Sequence, residues 1–260
     1  MSSFLCIASG APATWQLFVV GALIAWILTI FAARTWKMHV KQVPLFLINY
    51  VFTRVWWGLK VEGRFPQKEP GVGYLVVANH RSSADPMLLQ ASVAAPLVWM
   101  IAKEYVESSI GWLLKIIGVI PVTRGGADRG SIKTAVAALR DGAWIGIFPE
   151  GRINTTTDPL LPVHAGVGMI AARSGAAVIP CWIEGAPYND SIFGIFLLRA
   201  KVRVRIGEPI PTTQADNSSG ETKTRDDYPR ITDEIMRALL KLGRREDFIP
   251  LEVEKPAPRV

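Results

Sequence analysis

His80 and Asp85 are the residues whose types and spacing best suit acid–base chemistry in this chain. An imidazole takes a proton from an alcohol near neutral pH, and a carboxylate on its other ring nitrogen fixes the tautomer that can do so. On one continuous helix a separation of five residues sets two side chains roughly 140° apart, at about 3.6 residues per turn. The two groups meet only where the chain turns between them. Ser82, Ser83 and Asp85-Pro86 supply turn and cap chemistry for such a reversal. The competing reading is a plain helix cap beside an incidental histidine.

The elements that must position this pair are legible in the hydrophobic pattern. Tyr74-Leu75-Val76-Val77-Ala78, just before His80, has the length and β-branched content of a buried strand. Further predicted strands cover residues 97–101, 119–123, 143–148, 177–183 and 200–206. Between them Ile132, Ala135, Val136 and Leu139 recur on one helical face, with Asp128 as a start signal and Gly142 as a stop. Residues 161–174 read as a helix ending at Gly175, and Ile231, Ile235, Leu239 and Leu242 form a last apolar stripe. This alternation predicts an α/β fold, a mixed, largely parallel sheet flanked by helices. Sites in such sheets form beyond the strand ends. His80, Arg124 and Glu150 each follow a predicted strand, so parallel strands bring them to one edge.

Composition sets the surroundings. The chain has 260 residues, half of them hydrophobic, and a net charge of +7. That length holds one catalytic core, predicted over 61–247, with a membrane-anchoring region at 1–60 and a mobile, proline-rich tail at 248–260. Residues 15–33 are almost wholly apolar, long enough to span a bilayer, and no charged residue precedes Arg34. The basic residues Arg34, Lys37 and Lys41 follow, which under the positive-inside rule puts the catalytic part in the cytoplasm. A second apolar stretch, 43–59, contains Arg54 and Trp56-Trp57 and suits the membrane interface better than its interior. The two stretches form either a single span with an interfacial segment or a helical hairpin dipping into one leaflet. Cys6 and Cys181 lie in unlike contexts, so no structural disulfide is expected. No cluster with metal-ligand spacing occurs, and neither a metal nor a resident cofactor is expected. The excess of Lys and Arg suits anionic lipid headgroups, and no nucleic-acid motif accompanies it.

Asn79-His80-Arg81-Ser82-Ser83-Ala84-Asp85 resembles the Asn-His-x-Ser-x-x-Asp motif of glycerolipid acyltransferases, the His-x4-Asp family. Three more segments match that family in order: Gly118-Val119-Ile120-Pro121-Val122-Thr123-Arg124, Phe148-Pro149-Glu150-Gly151 and Val178-Ile179-Pro180-Cys181. The chain is similar to 1-acyl-sn-glycerol-3-phosphate acyltransferases (PlsC-like) over roughly residues 74 to 185. One departure stands out. The family often reads Phe-Pro-Glu-Gly-Thr-Arg-Ser, whereas here Arg152-Ile153-Asn154 follows Gly151, a variant that also resembles enzymes reacylating lysophospholipids.

The resemblance implies transfer of an acyl group from acyl-CoA or acyl-ACP to lysophosphatidic acid. His80 is then the general base and Asp85 its orienting partner. Arg124 is the implied phosphate ligand, since guanidinium binds phosphate bidentately. Arg152 and Lys103 are further cation candidates. Glu150 either meets the acceptor hydroxyls or holds one of these arginines, and Gly151 permits a tight turn beside the substrate. Ser82 fits orientation or capping better than a chemical role. The expected partners are the lysophospholipid, the acyl thioester, membrane lipid and acyl carrier protein as one donor carrier. Two other readings stay open: a different lysophospholipid or lyso-aminolipid as acceptor, and a non-catalytic membrane lipid-binding protein.

Overall fold

The computed structural model describes residues 38–123, 128–163, 165–212 and 227–248, with scattered positions between 19 and 35. The apolar run 15–33 falls mostly outside the described residues, as do Arg124, His164, the greater part of 212–227 and the tail beyond Phe248. Among the described residues no helix is long and apolar enough to cross a membrane.

The elements run α1 (Val43–Val55), β1 (Lys60–Glu62), β2 (Tyr74–Ala78), α2 (Asp85–Ser92), β3 (Leu97–Ala102), α3 (Lys103–Val106), α4 (Gly111–Ile117) and β4 (Val119–Val122). There follow α5 (Arg129–Arg140), β5 (Trp144–Ile147), α6 (Gly166–Ser174), β6 (Ala177–Glu184), β7 (Arg203–Ile206) and α7 (Asp227–Gly243). The strands form one sheet in the order β1-β7-β6-β2-β5-β3-β4. Strands β2 to β6 pair in parallel, β7 runs antiparallel to β6, and β1 runs parallel to β7. The chain has an α/β fold with a mixed, mostly parallel sheet flanked by helices.

Strand β2 lies between β5 and β6, which explains its unbroken apolar sequence: a parallel strand covered on both faces has no polar side to show. Val76 and Ala78 pack on one face with Leu88 and Leu89 of α2 and Trp57 beyond α1. Leu75 and Val77 pack on the other with Val136 of α5, Ile170 of α6 and Ile235 of α7. Helix α5 begins where Asp128 accepts from the Ser131 N–H at 3.0 Å and the Thr123 N–H at 2.9 Å. Those backbone bonds, Ser131's first, hold the Asp128 carboxyl below its usual value.

Several elements differ from the sequence reading: α2, α3, α4 and β1 were not predicted, and α6 starts late. Helix α6 starts at Gly166, not near 161, because Leu161 donates its N–H to Glu150 Oε2 at 2.8 Å. Leu161 also precedes Pro162, which disfavours the helical conformation there. Strand β1 is an addition. Its three residues place Val61 between Lys60 and Glu62, too short a run to show a period. Its pairing is instead marked by charge, with Glu62 meeting Arg203 at 3.0 Å and Arg205 at 3.2 Å across to β7.

Gly146 of β5 lies directly under Trp99 of β3; a Cβ there would sit 2.5 Å from the ring. Gly146→Ala is expected to cost about 1–3 kcal/mol through overpacking, read as a lower Tm. An unchanged Tm would mean the ring has room to move.

Candidate active site

The site grows from the C-terminal ends of β2 and β5, adjacent parallel strands. Just past β2, the buried Asn79 side chain clasps β6 at both ends. Its Nδ2 donates to the Ile183 carbonyl at 2.9 Å, and the Ile183 N–H donates to its Oδ1 at 2.7 Å. This two-sided amide contact fixes where the strand ends and the turn begins.

The turn then folds back on Asp85, the first residue of α2. One buried oxygen, Asp85 Oδ2, lies 2.9 Å from His80 Nδ1 and accepts from the Arg81 N–H at 2.6 Å and the Ser82 N–H at 2.8 Å. The positive end of the α2 dipole favours a carboxylate at this position. Ser82 Oγ donates to the Pro187 carbonyl and accepts from the Ala84 N–H at 3.0 Å. That hydroxyl ties the turn to the chain beyond β6.

The His80 side chain is 16% exposed. A carboxylate accepts and does not donate, so the hydrogen shared with Asp85 sits on Nδ1 in the neutral ring, leaving Nε2 with a lone pair. The ring plane is set by stacking: Phe148 lies 4.0 Å away at 11°, and Trp99 backs Phe148 at 5.3 Å and 13°. The His80 backbone is held as well. Its N–H donates to Glu150 Oε1 at 2.7 Å, and its carbonyl accepts from the Asn154 N–H at 2.7 Å. The ring is thus oriented by Asp85, stacked on Phe148 and partly shielded.

Residues 59–184 match the family model described as Acyltransferase. A 1-acyl-sn-glycerol-3-phosphate acyltransferase of Bacillus subtilis (strain 168) is 29% identical over 177 residues, covering 67% of this chain and 83% of the relative. An N-acylphosphatidylethanolamine synthase of Arabidopsis thaliana is 27% identical over 163 residues, covering 55% of this chain and 57% of that protein. The crystal structure of the 1-acyl-sn-glycerophosphate (LPA) acyltransferase PlsC from Thermotoga maritima shares the fold at a TM-score of 0.55 and 20% identity, covering 89% of this chain and 95% of that one. These matches make the chain similar to the PlsC-like O-acyltransferases.

The remaining candidates occupy different parts of the acyltransferase. Glu150 is 2% exposed, and its two oxygens accept from the backbone N–H groups of His80 and Leu161. It therefore sits behind His80, braced against backbone. Gly151 adopts a left-handed φ of 66° and closes a turn onto the Phe148 carbonyl at 3.1 Å, a conformation that suits glycine. Arg152 follows on the surface. Lys103 lies beyond β3, exposed, 3.3 Å from Glu107. Arg124 is outside the described residues.

The motif comparison named Asn79, Arg81, Phe148 and Asn154 without giving them roles. The structure gives each a positioning contact. Arg81 Nη1 reaches the carbonyls of Asn154, Thr156 and Asp158, tying the His80 turn to the loop after Gly151. The available signal for Phe148 was an aromatic residue closing a predicted strand next to Pro149-Glu150-Gly151.

Glu150 yields two expected outcomes. An amide accepts at only one end, so Glu150→Gln sets an N–H donor against a backbone N–H. Displacing the base should lower kcat by about 10- to 100-fold, with acceptor KM little changed. A raised KM at unchanged kcat would instead put Glu150 on the acceptor. Burial pushes the Glu150 carboxyl above its ordinary value, against the pull of the Leu161 and His80 N–H groups. The folded state then binds the extra proton. Stability from this group is full below its unfolded pKa, about 4.5, and is lost as pH rises through the raised folded value. Wild-type Tm relative to Glu150→Gln should accordingly be highest in acid and decline toward neutrality. A gap that widens with pH contradicts the shift.

Proposed function

We propose that this acyltransferase moves a fatty acyl group from acyl-CoA or acyl-ACP to lysophosphatidic acid, giving phosphatidic acid. The observation that carries the mechanism is the contact between His80 Nδ1 and Asp85 Oδ2, which turns Nε2 into the basic end of the ring. The acceptor hydroxyl gives its proton to Nε2 as its oxygen attacks the thioester carbonyl. Asp85 stabilises the imidazolium that forms. Collapse of the tetrahedral intermediate breaks the C–S bond, and the departing thiolate takes the proton back from Nε2. Ser82 has its hydroxyl engaged with Pro187 and Ala84, which favours direct transfer over an acyl-serine intermediate. The acyl thioester supplies the activated group, and no resident cofactor is required.

On this reading Arg124 and Arg152 bind the acceptor phosphate, Lys103 contributes a second positive charge, and Gly151 lets backbone approach the substrate. The N-terminal apolar region holds the enzyme at a membrane with its catalytic part on the cytoplasmic side, and acyl carrier protein is one of the two donor carriers.

A second reading changes the acceptor. The similarity to an N-acylphosphatidylethanolamine synthase favours weighing an amine-bearing phospholipid, or another lysophospholipid, beside lysophosphatidic acid. The same base can take a proton from either group.

His80→Ala should lower transfer by about 10²- to 10⁴-fold, the usual contribution of a positioned acid–base group, with thermal unfolding unchanged. Transfer retained in a folded His80→Ala protein removes His80 as the base. Arg124→Ala should raise the KM for lysophosphatidic acid while leaving kcat, because phosphate binding is shared by ground and transition states. Offering lysophosphatidic acid and phosphatidylethanolamine side by side separates the two readings.

A further inference from the structure

The imidazole of His80 ends a stack of rings that three neighbouring strands, β2, β5 and β3, build together. Gly146 of β5 leaves space beneath Trp99 of β3, where a Cβ would lie 2.5 Å from the indole. Trp99, 4% exposed, lies 5.3 Å from Phe148 with the planes at 13°. Phe148, half-buried just past β5, meets the imidazole with ring centres 4.0 Å apart and planes at 11°. Other close ring pairs in this chain meet differently. Phe52 and Trp57, and Tyr74 and Trp144, stand 4.9 Å apart with planes at 79° and 66°.

The difference has an electrostatic meaning. An aromatic ring is negative over its faces and positive at its edge, so two neutral rings prefer an offset or edge-to-face meeting. A cation prefers the face, within about 6 Å of the centroid, and gains most where water is excluded. A neutral imidazole therefore gains little electrostatically from a close, flat approach, whereas an imidazolium gains much. The His80 side chain is only 16% exposed, so water screens that attraction weakly. Asp85 Oδ2 acts through Nδ1, and Phe148 acts across the ring face. The two are separate supports for the same positive charge.

We propose that Phe148, backed by Trp99, stabilises the imidazolium that forms on His80 as the acceptor gives up its proton. The inference rests on the reading of His80 as the general base. Phe148 acts through His80 and not on the substrate, so it is a positioning residue with an electronic contribution. The proton still moves to Nε2 and on to the departing thiolate; the phenyl ring lowers the energy of the charged state between. The other charged groups beside the base are Glu150, on the His80 backbone N–H, and Arg81, turned to the carbonyls of Asn154, Thr156 and Asp158. A change confined to the phenyl charge distribution leaves both, and Asp85, in place.

The test replaces Phe148 in the full chain with phenylalanines carrying one, three or five ring fluorines, which keep its shape and drain charge from its face. Tm should hold across the series. NMR of the His80 ring signals, assigned with His80→Ala, gives the pH at which that ring takes up its proton, without turnover. That pH should fall stepwise with fluorine number, because the protonated ring loses support. Transfer to lysophosphatidic acid should fall in the same order, by about 2- to 30-fold in kcat at five fluorines. The acid limb of kcat against pH should move to lower pH, with the acceptor KM unchanged. Phe148→Leu, apolar and without a π face, should group with the five-fluorine protein. A titration that stays put across the series overturns the proposal, and so does a moving titration beside an unchanged kcat. Transfer that survives His80→Ala removes the general-base reading, and the proposal with it, even where the titration moves. A fixed titration beside transfer lost in His80→Ala removes the proposal alone.

Discussion

One oxygen atom organises this site. Asp85 Oδ2 is buried and collects the His80 imidazole and the N–H groups of Arg81 and Ser82. Those contacts bend residues 80–85 back on themselves, so that a spacing of five becomes a contact. They also decide which ring nitrogen carries the hydrogen. Geometry and acid–base state thus come from the same atom. A buried carboxylate without such donors would be strongly disfavoured.

The second support comes from β5. Because β2 and β5 are parallel neighbours, the chain leaving β5 passes beside the chain leaving β2. Phe148 takes the face of the imidazole, Glu150 its backbone N–H, and Asn154 its backbone carbonyl. Trp99 on β3 backs the stack, and Gly146 on β5 leaves the room for it. Asn79 performs the matching service toward β6. The Phe-Pro-Glu-Gly segment of this chain is therefore a splint for His80.

Much of this was legible in the residues. The apolar run of β2 and the helical face of α5 announced themselves because burial imposes a period. The placement of His80 and Glu150 at one sheet edge followed from strand–helix alternation. Less legible was the direction in which Glu150 points, since a glutamate after a strand is compatible with substrate or with backbone, and only the fold brings the His80 and Leu161 N–H groups to it. The late start of α6 was hidden only in part, since Pro162 marked it in the sequence while the Leu161 contact with Glu150 needed the fold. Strand β1 was invisible because its signal is a pair of charges distant in sequence. The apolar run 15–33 and Arg124 read clearly as sequence and lie outside the described residues.

The central claim is that His80 is held as a base with its lone pair on Nε2. The direct measurement is long-range nitrogen–proton NMR on the ¹⁵N-labelled histidine rings, with His80 assigned by comparison with His80→Ala. In the neutral ring the account predicts a protonated Nδ1 and a bare Nε2, with that preference weakened in Asp85→Asn. A neutral His80 carrying its hydrogen on Nε2 would contradict it, because the end facing the acceptor could then only donate.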